Sequence, residues 1–403
     1  MNLSVRIFIA LVLAVVVGLI AGPESLPFIK WWIAPIGSMF IALIKMMIVP
    51  VVFSSLIVGI TSLGDTKKLG RIGLKTVGLY LCTTAVAMVI GFAVAGVIQP
   101  GVGIEMSGKA PAVKEAPGIM QVFLNMIPSN PIASMAKADI LPIIIFAIFV
   151  GVGIVQVGEK GKQLVSFFDS CAEVCYKVIA MIMETAPIGV FALLLPVVVA
   201  NGPKVLLPLL SVIVAVAIGS LLHAVCVYSG LAAVLGKTSP VKFFRGMTEA
   251  MLIAFSTCSS AAALPINMKN TQEKLGVSRE VSSFVLPLGA TINMDGTALY
   301  MGVCSLFIAN VFGVDLTMQQ VGMIILTGTL ASIGTAGVPG AGLIMLAMVL
   351  QAAQLPVEGL ALVAGIDRVL DMFRTCLNIT GDAAVAVVVS ETEKKHLEVQ
   401  TAE

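Results

Sequence analysis

The sequence predicts an all-α polytopic membrane protein, with eight transmembrane helices plus two re-entrant helical hairpins arranged as inverted repeats. Three observations lead there: a shortage of charge, long apolar runs, and two such runs interrupted by polar or glycine clusters. Of the 403 residues, 58% are hydrophobic and 11% charged, against roughly 25% charged in soluble globular proteins. Mean hydropathy is +1.06. A membrane barrel would alternate polar and apolar residues; here the apolar residues run on. The 24 Lys+Arg and 22 Asp+Glu cannot solvate a soluble surface of this size. This excludes a soluble enzyme, a disordered protein and a secreted disulfide scaffold. The net charge of +2 gives no nucleic-acid footprint. The 7 cysteines form no CxxC pair; Cys171 and Cys175, one turn apart, read as buried small hydrophobes.

About 20 apolar residues cross the ~30 Å hydrocarbon core. The segment from Val5 to Ile20 lacks a convincing small-residue cleavage site and reads as the first span, not a signal peptide. Charge-free runs then mark 7–23, 46–64, 76–104, 140–158, 185–203 and 205–236. Residues 31–44 extend the second span past Lys45, which with Pro50 reads as an interfacial kink. The mixed stretch 163–184 leads into the fifth. Lys67, Lys68, Arg71 and Lys75 face only Asp65, so their loop is cytoplasmic and the N-terminus lies inside. The balanced, Pro/Gly-rich loop 101–137 belongs outside. Lys160 and Lys162, then Lys237, Lys242 and Arg245, fall inside again.

The run 250–268 has basic residues on both flanks, so both flanks should be cytoplasmic. Mid-run stands Ser256-Thr257-Cys258-Ser259-Ser260, closed by Pro265, which favours a break. A re-entrant hairpin over about 240–276 satisfies both facts. The charge-free run 316–357 would be roughly 63 Å long as one helix, about twice the core. Its middle, Gly334-Thr335-Ala336-Gly337-Val338-Pro339-Gly340-Ala341-Gly342, cannot stay helical, and a second hairpin opening outward is predicted. Each hairpin is followed by a span expected to be broken by polar residues: 280–313, at Asn293-Met294-Asp295-Gly296-Thr297, and about 358–390. Such inverted repeats mark secondary transporters, which bind cargo where broken segments meet at the midplane.

Asp367, Asp371, Arg374, Asn378 and Asp382 are spaced 4, 3, 4 and 4, within about an 80° arc of a helix. An ionised group at the bilayer centre costs about 2.5–3.5 kcal/mol even on the lenient scale, so this stripe demands partners or a function. Arg374 offers a planar fork for a carboxylate. Asp371 suits an ammonium, and Asn378 can donate to a second carboxylate. Ser259, Ser260 and the hairpin-tip N–H groups can do the same. Asp295, Asn293 and Asp382, with carbonyls near Gly289 and Ser332, offer oxygens to a hard cation. Without a His or Cys cluster, sodium fits better than zinc or copper. His223 and His396 read as distant from these motifs, and Glu391–Glu403 as a solvated tail.

These motifs, Ser259-Ser260…Leu264-Pro265, Asn293-Met294-Asp295-Gly296-Thr297, the glycine-rich 334–342 and Asp371-Met372-Phe373-Arg374-Thr375…Asn378-Ile379-Thr380-Gly381-Asp382, resemble the glutamate/aspartate:sodium symporter family. That family includes the excitatory amino acid transporters and archaeal aspartate transporters. The resemblance covers nearly the whole chain. It implies a homotrimer whose scaffold (1–69 and 101–202) holds a moving transport domain (70–100 and 203–403). Transport would follow an elevator-type movement, with the second hairpin as outer gate.

By motif, Arg374 would hold the substrate side-chain carboxylate and Asp371 its amino group. Asn378, Ser259, Ser260, Thr297 and Thr375 would complete the pocket, with Val338 and Gly342 backbone in the gate. One sodium site would use Gly289, Asn293, Asn378 and Asp382. Another would use carbonyls of Thr291, Ser332, Ile333 and Thr335. A third would use Tyr80, Thr83, Thr84, Asn293 and Asp295. Cys258 and Met372 stand where relatives carry an arginine, so that arginine reads as missing. Met301 stands where proton-coupled animal members have a glutamate. The resulting expectation is no enzyme but a symporter for L-aspartate and/or L-glutamate, coupled to more than one sodium, in a prokaryotic inner membrane with both termini cytoplasmic. Dicarboxylate, neutral amino acid or proton-coupled symport are the rivals on the same fold; an intramembrane hydrolase or a channel would be different classes.

Overall fold

The computed structural model describes residues 3–61, 67–102, 124, 127–202, 206–332 and 341–402, and among these all regular structure is helical. Helices α1 (Leu3–Ile20), α2 (Ala34–Thr61) and α3 (Lys67–Ile98) come first. A short α4 (Pro131–Lys137), capped by Asn130, leads to α5 (Ile140–Val157), α6 (Lys162–Glu184) and α7 (Ala186–Asn201). Then α8 (Leu206–His223) continues through two π turns, Ala224–Tyr228 and Leu231–Leu235. Among the described residues, 6 helical stretches are long and apolar enough to cross a membrane: Pro23–Thr61, Ile72–Ile98, Pro142–Ile182, Leu207–Leu235, Phe284–Val311 and Val357–Lys394. The chain is therefore a multi-pass membrane protein.

The helices sort into two packed groups. In one, α1 lies on α7, and α2 on α5, α6 and α7. In the other, α3 leaves its sequence neighbours and packs on α8 and on the helices after residue 240. The reason is written in glycine. A Cβ on Gly91 would strike the Leu299 carbonyl, and one on Gly302 would stand 2.8 Å from the Met88 carbonyl. Small residues let helix backbones approach closely where apolar burial alone drives little association.

The first predicted hairpin is α9 (Pro240–Thr257) folded back on α10 (Ser260–Glu273). Its turn is made by Cys258, in the left-handed region at φ 53, and by extended Ser259, whose side chain accepts the Ala262 N–H at 3.2 Å. Pro265 does not break the chain; it rides inside α10. The break falls where a side-chain cap can restart a helix. The span after it is broken as predicted: α11 (Arg279–Ile292) stops, Asn293 is extended, and α12 starts at Asp295 and runs to Val311. The second pair, α13 (Met318–Ala331) and α14 (Ala341–Ala352), also packs together. Its arms, of 14 and 12 residues, are about 21 and 18 Å long. Gln320 ties their bases, donating to the Ala353 carbonyl at 3.1 Å. The predicted tip, 333–340, lies outside the described residues.

Two expectations are corrected at the C-terminus. The final span is not broken: α15 (Leu360–Ala402) is one helix. Nor does a solvated tail begin at Glu391. Glu391 pairs with Lys237 at 3.2 Å, and buried Glu393 with Lys75 at 2.9 Å. These pairs hold the helix end against α3 and the end of α8. Lys45 has a partner as well, Glu358 at 3.9 Å.

The α3–α12 seam makes a test. Gly302→Val should lower the melting temperature in detergent by several degrees, because overpacking a close contact costs about 1–3 kcal/mol. Gly96→Ala, on α3 with nothing within 4 Å of a new Cβ, should leave it unchanged. Equal melting curves for wild type and Gly302→Val would contradict this packing.

Candidate functional site

Because α15 is unbroken, its polar stripe projects as one row into the second group. Arg374 is 1% exposed. Its Nη1 donates to Asp367 Oδ1 at 2.7 Å, and its Nη2 lies 2.9 Å from Asp371 Oδ1. The guanidinium carbon stands 4.3 Å over the Tyr300 ring of α12. Gly342 of α14 abuts the guanidinium so closely that a Cβ would collide with it. Thr375 donates to Asp371 Oδ1 at 3.3 Å. The other oxygen, Asp371 Oδ2, is buried without a hydrogen-bond partner among the described residues. A buried anionic acceptor left single is costly, and here it sits beside a cationic fork.

One turn further along α15 lies a second cluster. Gly296 N–H donates to Asn378 Oδ1 at 2.8 Å, which the break at Asn293-Met294 makes possible. Asn293 Nδ2 donates to the Asn378 carbonyl at 3.1 Å and to Asp382 Oδ1 at 2.9 Å. A Cβ on Gly289 would collide with the Asp382 carboxyl. Asn293 Oδ1 and Asp382 Oδ2 are buried and have no donor among the described residues. Two orphaned oxygens beside each other's residues are what a hard cation would satisfy.

Asp295 forms a third cluster, fully buried. Its Oδ1 accepts Thr84 at 2.7 Å and Thr83 at 3.2 Å. Its Oδ2 accepts the Tyr228 hydroxyl at 2.7 Å, and His223 Nε2 stands 3.4 Å away. The Tyr80 hydroxyl turns elsewhere, to the Val285 carbonyl at 3.0 Å.

The structure thus brings together Arg374, Asp371, Thr375 and Gly342, then Gly289, Asn293, Asn378 and Asp382, then Thr83, Thr84 and Asp295. Thr297 and Ser260 are buried at the starts of α12 and α10, while Ser259 serves as the α10 cap. Thr291 and Ser332 close α11 and α13, where terminal carbonyls lack helical partners; their hydroxyls donate back to Leu288 and Thr329. Ile333, Thr335 and Val338 lie outside the described residues.

Three residues correct the sequence reading. His223 is not distant from the motifs; it faces Asp295. Tyr228, beside it, carries no motif signal. A lone ionisable residue in the charge-free run 205–236 was the available signal. The pairing of His223 with Tyr228 was hidden, because an α-helix turns residues five apart onto different faces. The π turn closes i to i+5 and stacks them. Arg368 is the third. No arginine stands at Cys258 or Met372, yet Arg368 Nη2 donates to the Thr257 carbonyl at 3.2 Å. An arginine from α15 therefore clasps the first hairpin tip.

Comparison with known proteins matches nearly the whole chain. The model of the sodium:dicarboxylate symporter family matches residues 3–392. The chain is 36% identical over 407 residues to a proton/sodium-glutamate symport protein of Bacillus caldotenax, covering 98% of this chain and 96% of that one. It is 39% identical to a proton/glutamate-aspartate symporter of Escherichia coli (strain K12), over 90% of this chain and 86% of that one. With excitatory amino acid transporter 3 of Oryctolagus cuniculus it shares 32%, over 97% and 85%.

The Arg368 clasp predicts a change in Cys258, now 2% exposed. In Arg368→Ala, a maleimide should label Cys258 several-fold faster than in wild type, read by peptide mass spectrometry. Unchanged labelling would show that the tip stays shut without the clasp.

Proposed function

This chain belongs to the sodium:dicarboxylate symporter family, and we propose that it imports L-aspartate and/or L-glutamate with sodium across a prokaryotic inner membrane. The observation that carries this reading is the Arg374–Asp371 pair with Asp371 Oδ2 left single. A substrate side-chain carboxylate takes over the Arg374 fork as Asp367 yields it. The substrate ammonium goes to Asp371 Oδ2. Asn378, Thr297, Thr375, Ser259 and Ser260 complete the pocket, with Val338 and Gly342 backbone in the outer gate. A C4-dicarboxylate has no ammonium for Asp371, and a neutral amino acid has no side-chain carboxylate for Arg374.

Charge explains the need for a cation. Among the described residues of these three clusters, Asp295, Asp367, Asp371 and Asp382 are all buried, and Arg374 is the cation set against them. Four carboxylates and one guanidinium leave a formal excess of three negative charges, and an acidic amino acid adds another. Such an excess is costly at membrane depth and draws cations in with the substrate. Sodium binds at Gly289, Asn293, Asn378 and Asp382. Carbonyls of Thr291, Ser332, Ile333 and Thr335 form a second site.

The two packed groups suit two bodies. Helix α3 and the helices from α8 onward carry the site and move as a unit. The others form a trimeric scaffold. In this reading the chain has eight spans and two re-entrant hairpins, and both termini are cytoplasmic. The movement is elevator-like, and the activity is transport without catalysis.

The test is uptake of radiolabelled L-aspartate into proteoliposomes. An inward sodium gradient should drive accumulation; uptake driven by a proton gradient alone, without sodium, would overturn the sodium assignment. Arg374→Cys should lose acidic-substrate uptake by about 100-fold or more, as expected when one partner of a buried charge pair is removed. Unchanged aspartate uptake in that variant would contradict the role of Arg374.

A further inference from the structure

The residues leading into α15 lie deeper than their place in the chain predicts. The second hairpin is expected to open outward, so its base and the start of α15 belong to the outer side. Glu358, just before α15 begins, nevertheless stands 3.9 Å from Lys45 of α2. Lys45 lies near the middle of the apolar stretch Pro23–Thr61. Resting on the two-body reading above, we propose that Lys45 and Glu358 form a latch that holds the cargo-carrying body at a cytoplasmic stop, and that Glu358 moves toward Lys30 when that body rises.

The hairpins support the lowered position. The second hairpin lies against the first helix group: α14 packs on α2 and α5, and α13 on α5. The main packing of the first hairpin stays within its own group, α9 on α15 and the end of α8, α10 on α11 and α15. A body moved toward the cytoplasm does both. It draws the outward-opening hairpin down along the scaffold and pushes the cytoplasmic hairpin clear of it. The same displacement brings Glu358 down to Lys45.

The pair sits in a groove of about 380 Å³. One wall runs along α2 and the π turn before it, from Lys30 through Ala34, Ser38 and Ala42 to Lys45; α7 supplies the other. Lys30 and Lys45 are 15 residues apart, about 22 Å along a helix. The three small side chains leave the wall open between them. Trp31 and Trp32, 80% and 70% exposed, follow Lys30 and set it at the level of the membrane interface, where the topology puts Glu358. The side chains of Lys45 and Glu358 are 36% and 67% exposed. Charges so open are costly against hydrocarbon, which makes the groove a water-filled one. An exposed ion pair shifts an equilibrium by up to about five-fold, enough to bias where the body rests and weak enough to release it. Lys45 and Glu358 thus position the body and touch neither substrate nor sodium.

The test uses the full-length protein in nanodiscs. Keto amino acids introduced at Val157 of α5 and Leu252 of α9, both exposed and one on each body, carry nitroxide spin labels. Pulsed EPR reads the distances between the bodies in sodium, with and without L-aspartate. Wild type should show two distances, and the one matching this structure is the lowered stop. Lys45→Gln should reduce the lowered stop relative to the other by up to about five-fold, and Lys45→Glu by more. Joining Lys45→Glu to Glu358→Lys should restore the wild-type ratio, which a merely structural role for Lys45 would not do. Lys30→Glu should raise the lowered share instead. An unchanged ratio in Lys45→Gln and Lys45→Glu, or no restoration in the double variant, would overturn the latch. An unchanged ratio in Lys30→Glu would overturn the outer stop. If Lys45→Glu does not fold, Lys45→Gln and Glu358→Gln decide: combined, they should shift the ratio no further than either alone, and additive shifts would overturn the pairing. A single distance in every variant and condition would refute the two-body movement itself, and the latch with it.

Discussion

Everything in the second helix group is arranged around one guanidinium. Arg374 is 1% exposed, at a depth where an unpaired charge is costly. Two aspartates from its own helix and an aromatic face from α12 compensate it. The pairing constrains the backbone around it. Asp367 and Asp371 reach Arg374 only if α15 stays helical across all three, which explains why the stripe lies on an intact helix. Gly296 and Gly342 sit where any side chain would collide with Arg374. At Gly342 it is the paired guanidinium that excludes a side chain, and at Gly296 the Arg374 backbone.

The broken backbone serves the same end. Asn293 and Met294 interrupt the span so that the Gly296 N–H meets Asn378 and the Asn293 amide meets Asp382. Non-helical backbone at this depth survives only where protein surrounds it, and α12 is buried along nearly its whole length. The contrast between clusters matters most. Asp371 and Asp382 each keep one oxygen without a donor, whereas Asp295 keeps none. Orphaned acceptors mark where a positive group is wanted.

Much of this was legible in sequence, for definite reasons. The stripe on α15 follows from 3- and 4-residue spacing, which an α-helix maps onto one face. The break at Asn293 was visible because polar residues interrupt an apolar span. The hairpin turn at Cys258–Ser259 was anticipated only to within a few residues, since the proline that drew attention is tolerated inside α10. The final span is expected to break because its polar residues look like those of 293–297, but no extended residue interrupts α15, and Gly365 and Gly381 stay helical within it. Helical spacing could not reveal His223 beside Tyr228, because a π turn pairs them. Nor could it reveal Arg368 at the first hairpin, since that contact joins residues 111 apart in sequence.

The central claim is that one buried site reads both an ammonium and a side-chain carboxylate, through Asp371 and Arg374. Titration calorimetry on the purified protein, in saturating sodium, tests it most directly with three ligands. L-aspartate carries both groups, succinate lacks the ammonium, and L-alanine lacks the side-chain carboxylate. The account predicts that L-aspartate binds at least about 100-fold more tightly than either, because each analogue leaves one buried charge unpaired. Succinate or alanine binding as tightly as aspartate would contradict it.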